Sequence, residues 1–173
     1  MFIIEPRPFG HPDVVDLVAG LQAEYMRIYG TPDETPVEDG EFDPPRGLFL
    51  VGLLDGKPAA AGGWRGVEGP VRTGEIKRMF VQPWARGQGL SRLMLAELEA
   101  TLAGAGYERV VLMTGEPQQA AIALYESSGY EPGNAYGIYA CAPDARFYAK
   151  VMETDPIEAQ PVEDRAASRA MRA

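Results

Sequence analysis

A chain of 173 residues with 46% hydrophobic and 24% charged side chains has the make-up of one globular domain with a sizeable core. Its net charge of −9, from 25 acids against 16 bases, sets it against polyanions, so a nucleic-acid partner is not expected. One cysteine, Cys141, and one histidine, His11, exclude an intrachain disulfide framework and a Cys-based metal site and argue against zinc and His-dependent hydrolase schemes, so no metal is expected. The apolar runs are too short to cross a bilayer, and "MFIIEPRPFG" lacks the basic region and apolar core of a signal peptide. The expectation is a cytoplasmic protein without a membrane partner.

In chain order, "FIIEPRP" predicts a first strand. "HPDVVDLVAGLQAEYMRIYG" predicts a helix, with apolar positions Val14, Leu17, Val18, Leu21 and Tyr25, Pro12 in its first turn and Gly30 as its stop. Residues 31–45 hold six acids, four prolines and no base, and predict a long loop. "LFLVGLLDGKPAAAGGWRGV" predicts a hairpin turning at Asp55-Gly56, followed by a strand "GEIKRMFV". After a glycine-containing loop, Met94, Leu95, Leu98 and Leu102 form one apolar stripe on a helix that Gly104 and Gly106 end. "RVVLMTG" predicts a core strand and "PQQAAIALYESSGY" a helix. "NAYGIYA" and "ARFYAKVM" predict closing strands. The order β-α-β-β-β-α-β-α-β-β predicts an α/β sandwich with a mixed sheet in one domain over residues 1–152, with a polar tail over 153–173.

The chemistry concentrates between residues 71 and 92. Arg72, Lys77, Arg78, Arg86 and Arg92 stand there against Glu75 alone, a basic island in an acidic chain. Either a small anionic ligand or a solvated face accounts for it. Arg86-Gly87-Gln88-Gly89-Leu90-Ser91 joins a strand to a helix. Its glycines let a ligand approach the main chain, and the helix N-terminus offers free N–H groups to a phosphate. A P-loop is absent, and a dinucleotide fingerprint lacks its third glycine, because Arg92 stands there. The remaining phosphate-binding design is the acyl-CoA loop, Q/R-x-x-G-x-G/A.

"EIKRMFVQPWARGQGLSRLMLAELE" followed by "LYESSGY" resembles the GCN5-related N-acetyltransferase (GNAT) superfamily, in order and spacing, over about residues 45–150. Ser91 departs from the Gly or Ala that the motif prefers. The resemblance implies a mixed, mostly antiparallel central sheet flanked by helices. It implies acetyl-CoA as co-substrate, with the backbone of Met79, Phe80 and Val81 pairing the pantetheine arm. The main chain of Arg86, Gly87, Gln88, Gly89, Leu90 and Ser91 would take the pyrophosphate.

Glu75, six residues before Val81, then matches a base position of the histone-acetylating branch, and a structural ion pair with Lys77, or with Arg78 of a neighbouring chain, is its other reading. Strict alternation would put Glu75, Lys77, Met79 and Val81 on one face of the strand. Tyr125 matches the tyrosine that many family members place near the CoA sulfur, where it would protonate the leaving thiolate, with core packing as its other reading; Tyr130 reads as core. Cys141 reads as an inert thiol rather than a nucleophile. The acceptor would be a primary amine of a small molecule or peptide, met by Tyr25 and Tyr29. The acidic loop either draws a cationic amine or only keeps itself soluble. The resemblance implies direct transfer, and a homodimer would be common in such a family. A domain that binds acyl-CoA without turnover, as a sensor or partner subunit, is the competing reading. A nicotinamide-dependent oxidoreductase is a weaker third.

Overall fold

The computed structural model describes residues 1–152, and the tail expected over 153–173 lies outside them. Strand β1 is Phe2–Pro6, helix α1 Pro12–Tyr29, β2 Gly47–Leu54, β3 Lys57–Val67 and β4 Thr73–Val81. A 3-10 turn at Pro83–Ala85 leads to α2 (Leu90–Gly104). β5 (Arg109–Gly115), α3 (Gln119–Ser127), β6 (Glu131–Pro132) and β7 (Ala145–Val151) follow. Seven strands form one sheet in the order β1-β2-β3-β4-β5-β7-β6, antiparallel throughout except for the β4–β5 pair. This is the expected mixed, mostly antiparallel sheet flanked by helices in a single domain.

Local chemistry explains the boundaries. Helix α1 starts where Pro12 can sit without a missing hydrogen bond, and the His11 imidazole accepts from the Asp13 N–H at 3.2 Å. It stops at Gly30, whose left-handed backbone (φ 76°) lets its N–H return to the Met26 carbonyl. The β2–β3 turn places Asp55 and Gly56 both at positive φ (49° and 79°), the geometry that matches strand twist.

One face of the sheet buries α1, and the other buries α2 with α3 beside it. Val14, Leu17 and Leu21 of α1 meet Phe42, Phe49, Val51, Ala61 and Phe80 on one side. On the other, Met94, Leu95, Leu98 and Leu102 of α2 meet Leu50, Ala60, Trp64 and Ile76. Side chains of this size contribute about 1.5–3 kcal/mol each when fully buried, so the α2 stripe is a principal source of stability.

Two expectations fail. "NAYGIYA" is not a strand: after the two-residue β6, residues 133–144 form a loop with turns, including an Ala140 N–H to Gly137 carbonyl bond. Gly133 and Gly137 (φ 68°) break an otherwise strand-like aromatic pattern. The face alternation of β4 also fails. Ala61 pairs with Phe80 and Gly63 with Lys77, so Arg78 and Met79 together oppose Gly62, and Arg78 adopts a left-handed backbone (φ 59°). This β-bulge shifts the parity of the strand. Ile76, Met79 and Val81 pack on the α2 side and Phe80 on the α1 side.

Candidate functional site

β4 and β5 begin as parallel partners and then part. Their pairing runs only through Thr73↔Arg109, Gly74↔Val110 and Glu75↔Val111. Beyond Glu75, β4 continues with β3 and β5 with β7. The edge of Ile76–Val81 on the β5 side therefore has no strand partner, in the middle of a seven-stranded sheet. An unpaired edge there presents backbone N–H and C=O groups that a bound chain can satisfy.

The loop at the end of β4 adds donors. Gly87 and Gly89 are left-handed (φ 76° and 75°), and a Cβ built on either meets nothing within 4 Å, so the main chain lies open. Among the described residues, the backbone N–H groups of Gly87, Gln88, Gly89, Leu90 and Ser91 have no backbone or side-chain acceptor. They cluster at the N-terminus of α2, whose dipole favours an anion. Leu90 is buried against Ala59 and Ala85, which anchors this end of the helix.

The arginines are arranged otherwise than the charge count suggests. Arg86 donates through Nε to the Val81 carbonyl (2.9 Å) and through Nη2 to Glu24 (2.6 Å), and lies over the Phe80 ring. Arg92 donates to the hydroxyls of Ser127 and Ser128 at 2.8 and 3.3 Å, tying α2 to the C-terminal end of α3. Both guanidiniums are thus engaged within the protein, and the free donors at this loop are those of the main chain. An unpaired edge leading into a row of free N–H groups is a cradle fit for a ligand with an amide-bearing arm and a pyrophosphate, as acyl-CoA has.

A cavity of about 330 Å³ opens on the α1 side of β4. Glu75, Lys77 and Arg78 line it from the strand, Tyr25 and Tyr29 from α1, Asp33 from the acidic loop, and Tyr139 from the loop before β7. The close approach of Tyr29 to the cavity wall depends on Gly115 at the end of β5. A Cβ there would fall 1.9 Å from the Tyr29 hydroxyl, which also accepts from Gln118 Nε2 at 2.9 Å.

Glu75 is 4% exposed and faces Arg65, its direct partner across β3 and β4. Arg65 Nε donates to Glu75 Oε2 at 2.9 Å and its Nη1 to Glu41 at 2.7 Å. Lys77 Nζ stands 3.9 Å from the other oxygen, Oε1. The structural ion pair therefore exists, chiefly with Arg65 rather than with Lys77 or Arg78. Burial drives the Lys77 ammonium below its ordinary value, with Arg65 and Arg78 adding to the effect against Glu75 and Asp33.

Asp33 has the opposite balance. Burial would raise its carboxyl, but hydrogen bonds from the Thr35 hydroxyl and N–H and the charges of Lys77 and Arg78 hold it below the ordinary value. Tyr139 donates to the same oxygen at 3.2 Å and accepts from the Glu34 N–H at 2.8 Å, so it joins the two loops over the cavity.

Tyr125 reaches the gap from α3 on the opposite side. Its hydroxyl lies 3.8 Å from the sulfur of Met79, and burial pushes its phenol up to about 12, so it is protonated throughout the neutral range. Burial also raises Tyr25, followed by the nearby Tyr125 and Asp33. Tyr130 is buried edge-on to Tyr125, the core position expected of it. Cys141 is an exposed free thiol.

The fold thus brings Glu75, Tyr125, Tyr25, Tyr29 and the backbone of Met79–Val81 around one gap and one cavity, with the 86–91 loop at the far end. Sequence reasoning missed Arg65, Asp33 and Tyr139 as neighbours of the site. It saw Lys77 and Arg78 as charges in a strand, without the bulge that turns both to one cavity. Among the described residues there is no cluster of His, Cys, Asp or Glu that could hold a metal, and no helix long and apolar enough to cross a membrane.

Residues 15–130 match the acetyltransferase (GNAT) family. Among curated proteins, an IAA acetyltransferase of Azospirillum brasilense is 40% identical over 77 residues, covering 44% of this chain and 50% of that one. A mycothiol acetyltransferase of Geodermatophilus obscurus is 36% identical over 94 residues, covering 51% of this chain and 30% of that one. The chain thus spans half or less of the length of these two relatives. Among solved structures, a Klebsiella pneumoniae protein assigned as an acyl-CoA N-acyltransferase superposes with a TM-score of 0.73 at 28% identity, covering 87% of this chain and 97% of that one. A GNAT family acetyltransferase from Elizabethkingia anophelis with acetyl-CoA bound shares the fold, with a TM-score of 0.65 at 16% identity, covering 87% and 98% of the two chains.

Proposed function

From the premise that the chain belongs to the GNAT acetyltransferase family, we propose that it is an acetyl-CoA-dependent N-acetyltransferase that acts by direct transfer to a primary amine. The observation that carries this reading is the parting of β4 from β5 after Glu75, with free main-chain donors waiting at the end of the gap. The backbone of Met79, Phe80 and Val81 binds the amide-bearing arm, and the N–H groups of Gly87–Ser91 bind the pyrophosphate. Acetyl-CoA supplies the acetyl thioester. The acceptor amine enters from the cavity on the α1 side.

A primary amine arrives as an ammonium and must lose a proton before its nitrogen attacks the thioester carbonyl. Glu75 takes that proton at Oε1, directly or through water, while Arg65 holds Oε2 and keeps the carboxylate oriented. The new C–N bond forms as the C–S bond breaks, the Tyr125 hydroxyl donates a proton to the leaving sulfur, and the second proton that the acylated nitrogen sheds restores the phenol through solvent. The Met79 contact holds that hydroxyl at the gap from the side opposite the amine.

A thermal-shift titration with acetyl-CoA, CoA and NAD in parallel tests the cofactor site, because a ligand bound only by the folded state stabilises it by mass action. Stabilisation by acetyl-CoA and CoA but not by NAD is expected. No shift with any CoA species would sink the reading. Thiol release in the presence of amines then separates an enzyme from a domain that binds acyl-CoA without turnover.

A further inference from the structure

We infer that the acceptor carries a carboxylate as well as the reacting amine, and that Lys77 and Arg78 hold this carboxylate in the cavity beside β4. The inference rests on the transferase reading above and names the substrate class it would take: a zwitterion of amino-acid size.

The bulge is the first observation. In a regular strand Lys77 and Arg78 would point to opposite faces, but the extra residue turns both toward the α1 side, where they line one wall. Arg78 holds this position with a left-handed backbone that side chains other than glycine adopt at a cost, a conformation that accumulates at binding sites.

The second observation is that the Arg78 guanidinium is buried and under-used. Its side chain is 4% exposed, yet Nε has no hydrogen-bond partner among the described residues. Nη2 reaches the Thr35 carbonyl at 3.3 Å and lies 3.5 Å from Asp33 Oδ2, both long for charged partners. Asp33 spends its other oxygen on Thr35 and Tyr139. A buried guanidinium with spare donors is costly unless something accepts from it, and a carboxylate fits its planar fork.

Charge decides between a carboxylate and a phosphate. Around β4 and its cavity four acids, Glu41, Glu75, Asp33 and Asp144, face three bases, Arg65, Lys77 and Arg78. A zwitterion adds no net charge to this slightly acidic set. A dianion would crowd Asp33, Glu75 and Asp144. The cavity of about 330 Å³, with Tyr25, Tyr29 and Tyr139 among its walls, has room for a side chain beyond the amine and carboxylate.

The test is thiol release from acetyl-CoA with the proteinogenic α-amino acids, each paired with its own α-carboxamide. The free acids should be preferred by about tenfold or more, the usual effect of a charge-assisted hydrogen bond made or lost. Lys77→Gln and Arg78→Gln should bring that preference close to one by raising KM for the acid, while acetyl-CoA still stabilises the fold. Should Arg78→Gln not fold, Lys77→Gln carries the same test. Amides used as well as acids, or a preference that survives Lys77→Gln, would overturn the inference. So would no turnover of any pair while acetyl-CoA still stabilises the protein. Loss of both stabilisation and thiol release would instead bring down the transferase reading, and this inference with it.

Discussion

On the α2 side of β4, Ile76, Met79 and Val81 pack among Met94, Leu95, Leu98 and Leu102, side chains without a charge between them. On the α1 side the same strand presents Glu75, Lys77 and Arg78 to a cavity bounded by Asp33 and three tyrosines. One face gains free energy by excluding water, while the other holds charges that are each stabilised only by specific partners. The contrast shows how one strand serves stability and chemistry together. The dry face fixes the position of β4, so the wet face can keep polar groups imperfectly satisfied without loss of the fold.

The largest effect that would separate these roles is expected from Tyr125→Phe. Removing the hydroxyl should lower kcat by about 10²–10⁴-fold, the range for a lost acid catalyst. Stability should hardly change, because the hydroxyl's partner among the described residues is a sulfur at 3.8 Å. An unchanged kcat in a thiol-release assay would assign Tyr125 to packing instead. Leu98→Ala, on the dry face, should cost about 2–5 kcal/mol in urea unfolding and leave the affinity of the folded protein for acetyl-CoA unaltered.

Asp33→Asn probes the wet face and should cost only about 1 kcal/mol at neutral pH. The Asp33 carboxyl is held below its ordinary value, so the folded state prefers it ionised. Its contribution is therefore present above the unfolded value of about 3.8 and lost as pH falls through the lower folded value. The urea midpoints of parent and variant should converge in that acid range, and a constant gap would contradict the assignment. Arg86→Ala should be the mildest. With the guanidinium committed to Glu24 and the Val81 carbonyl, acetyl-CoA affinity should fall by about threefold or less in a binding titration. A far larger loss would mean that Arg86 turns to the ligand.

What could be read from the sequence was local. The α1 boundaries followed from Pro12 and Gly30, the hairpin from Asp55-Gly56, and the α2 stripe from its spacing. The family resemblance carried the mixed, mostly antiparallel character of the sheet and drew attention to the 86–91 loop. What escaped was set by pairing between distant segments. Arg65 meets Glu75 only because of the β3–β4 register, and Arg86 meets Glu24 across 62 positions of chain. The bulge escaped for a different reason: its left-handed residue is an arginine, where glycine or asparagine would have announced it. "NAYGIYA" has the aromatic alternation of a strand, but Gly137 and the preceding Gly133 break it into turns, while Tyr136 and Tyr139 are partly buried and have partners in space.

The single extra residue at Arg78 acts on β4 as a phase shift acts on a wave of period two. Substitution at any one position leaves that phase alone, whereas removal of one residue resets it for every position on one side of the cut. A one-residue deletion at Arg78 restores regular pairing opposite Gly62 and leaves Lys77 as the lone cation of the strand on the cavity side. Among relatives of this fold, a change in acceptor charge could therefore arise from a change in strand length, with hardly a core residue altered.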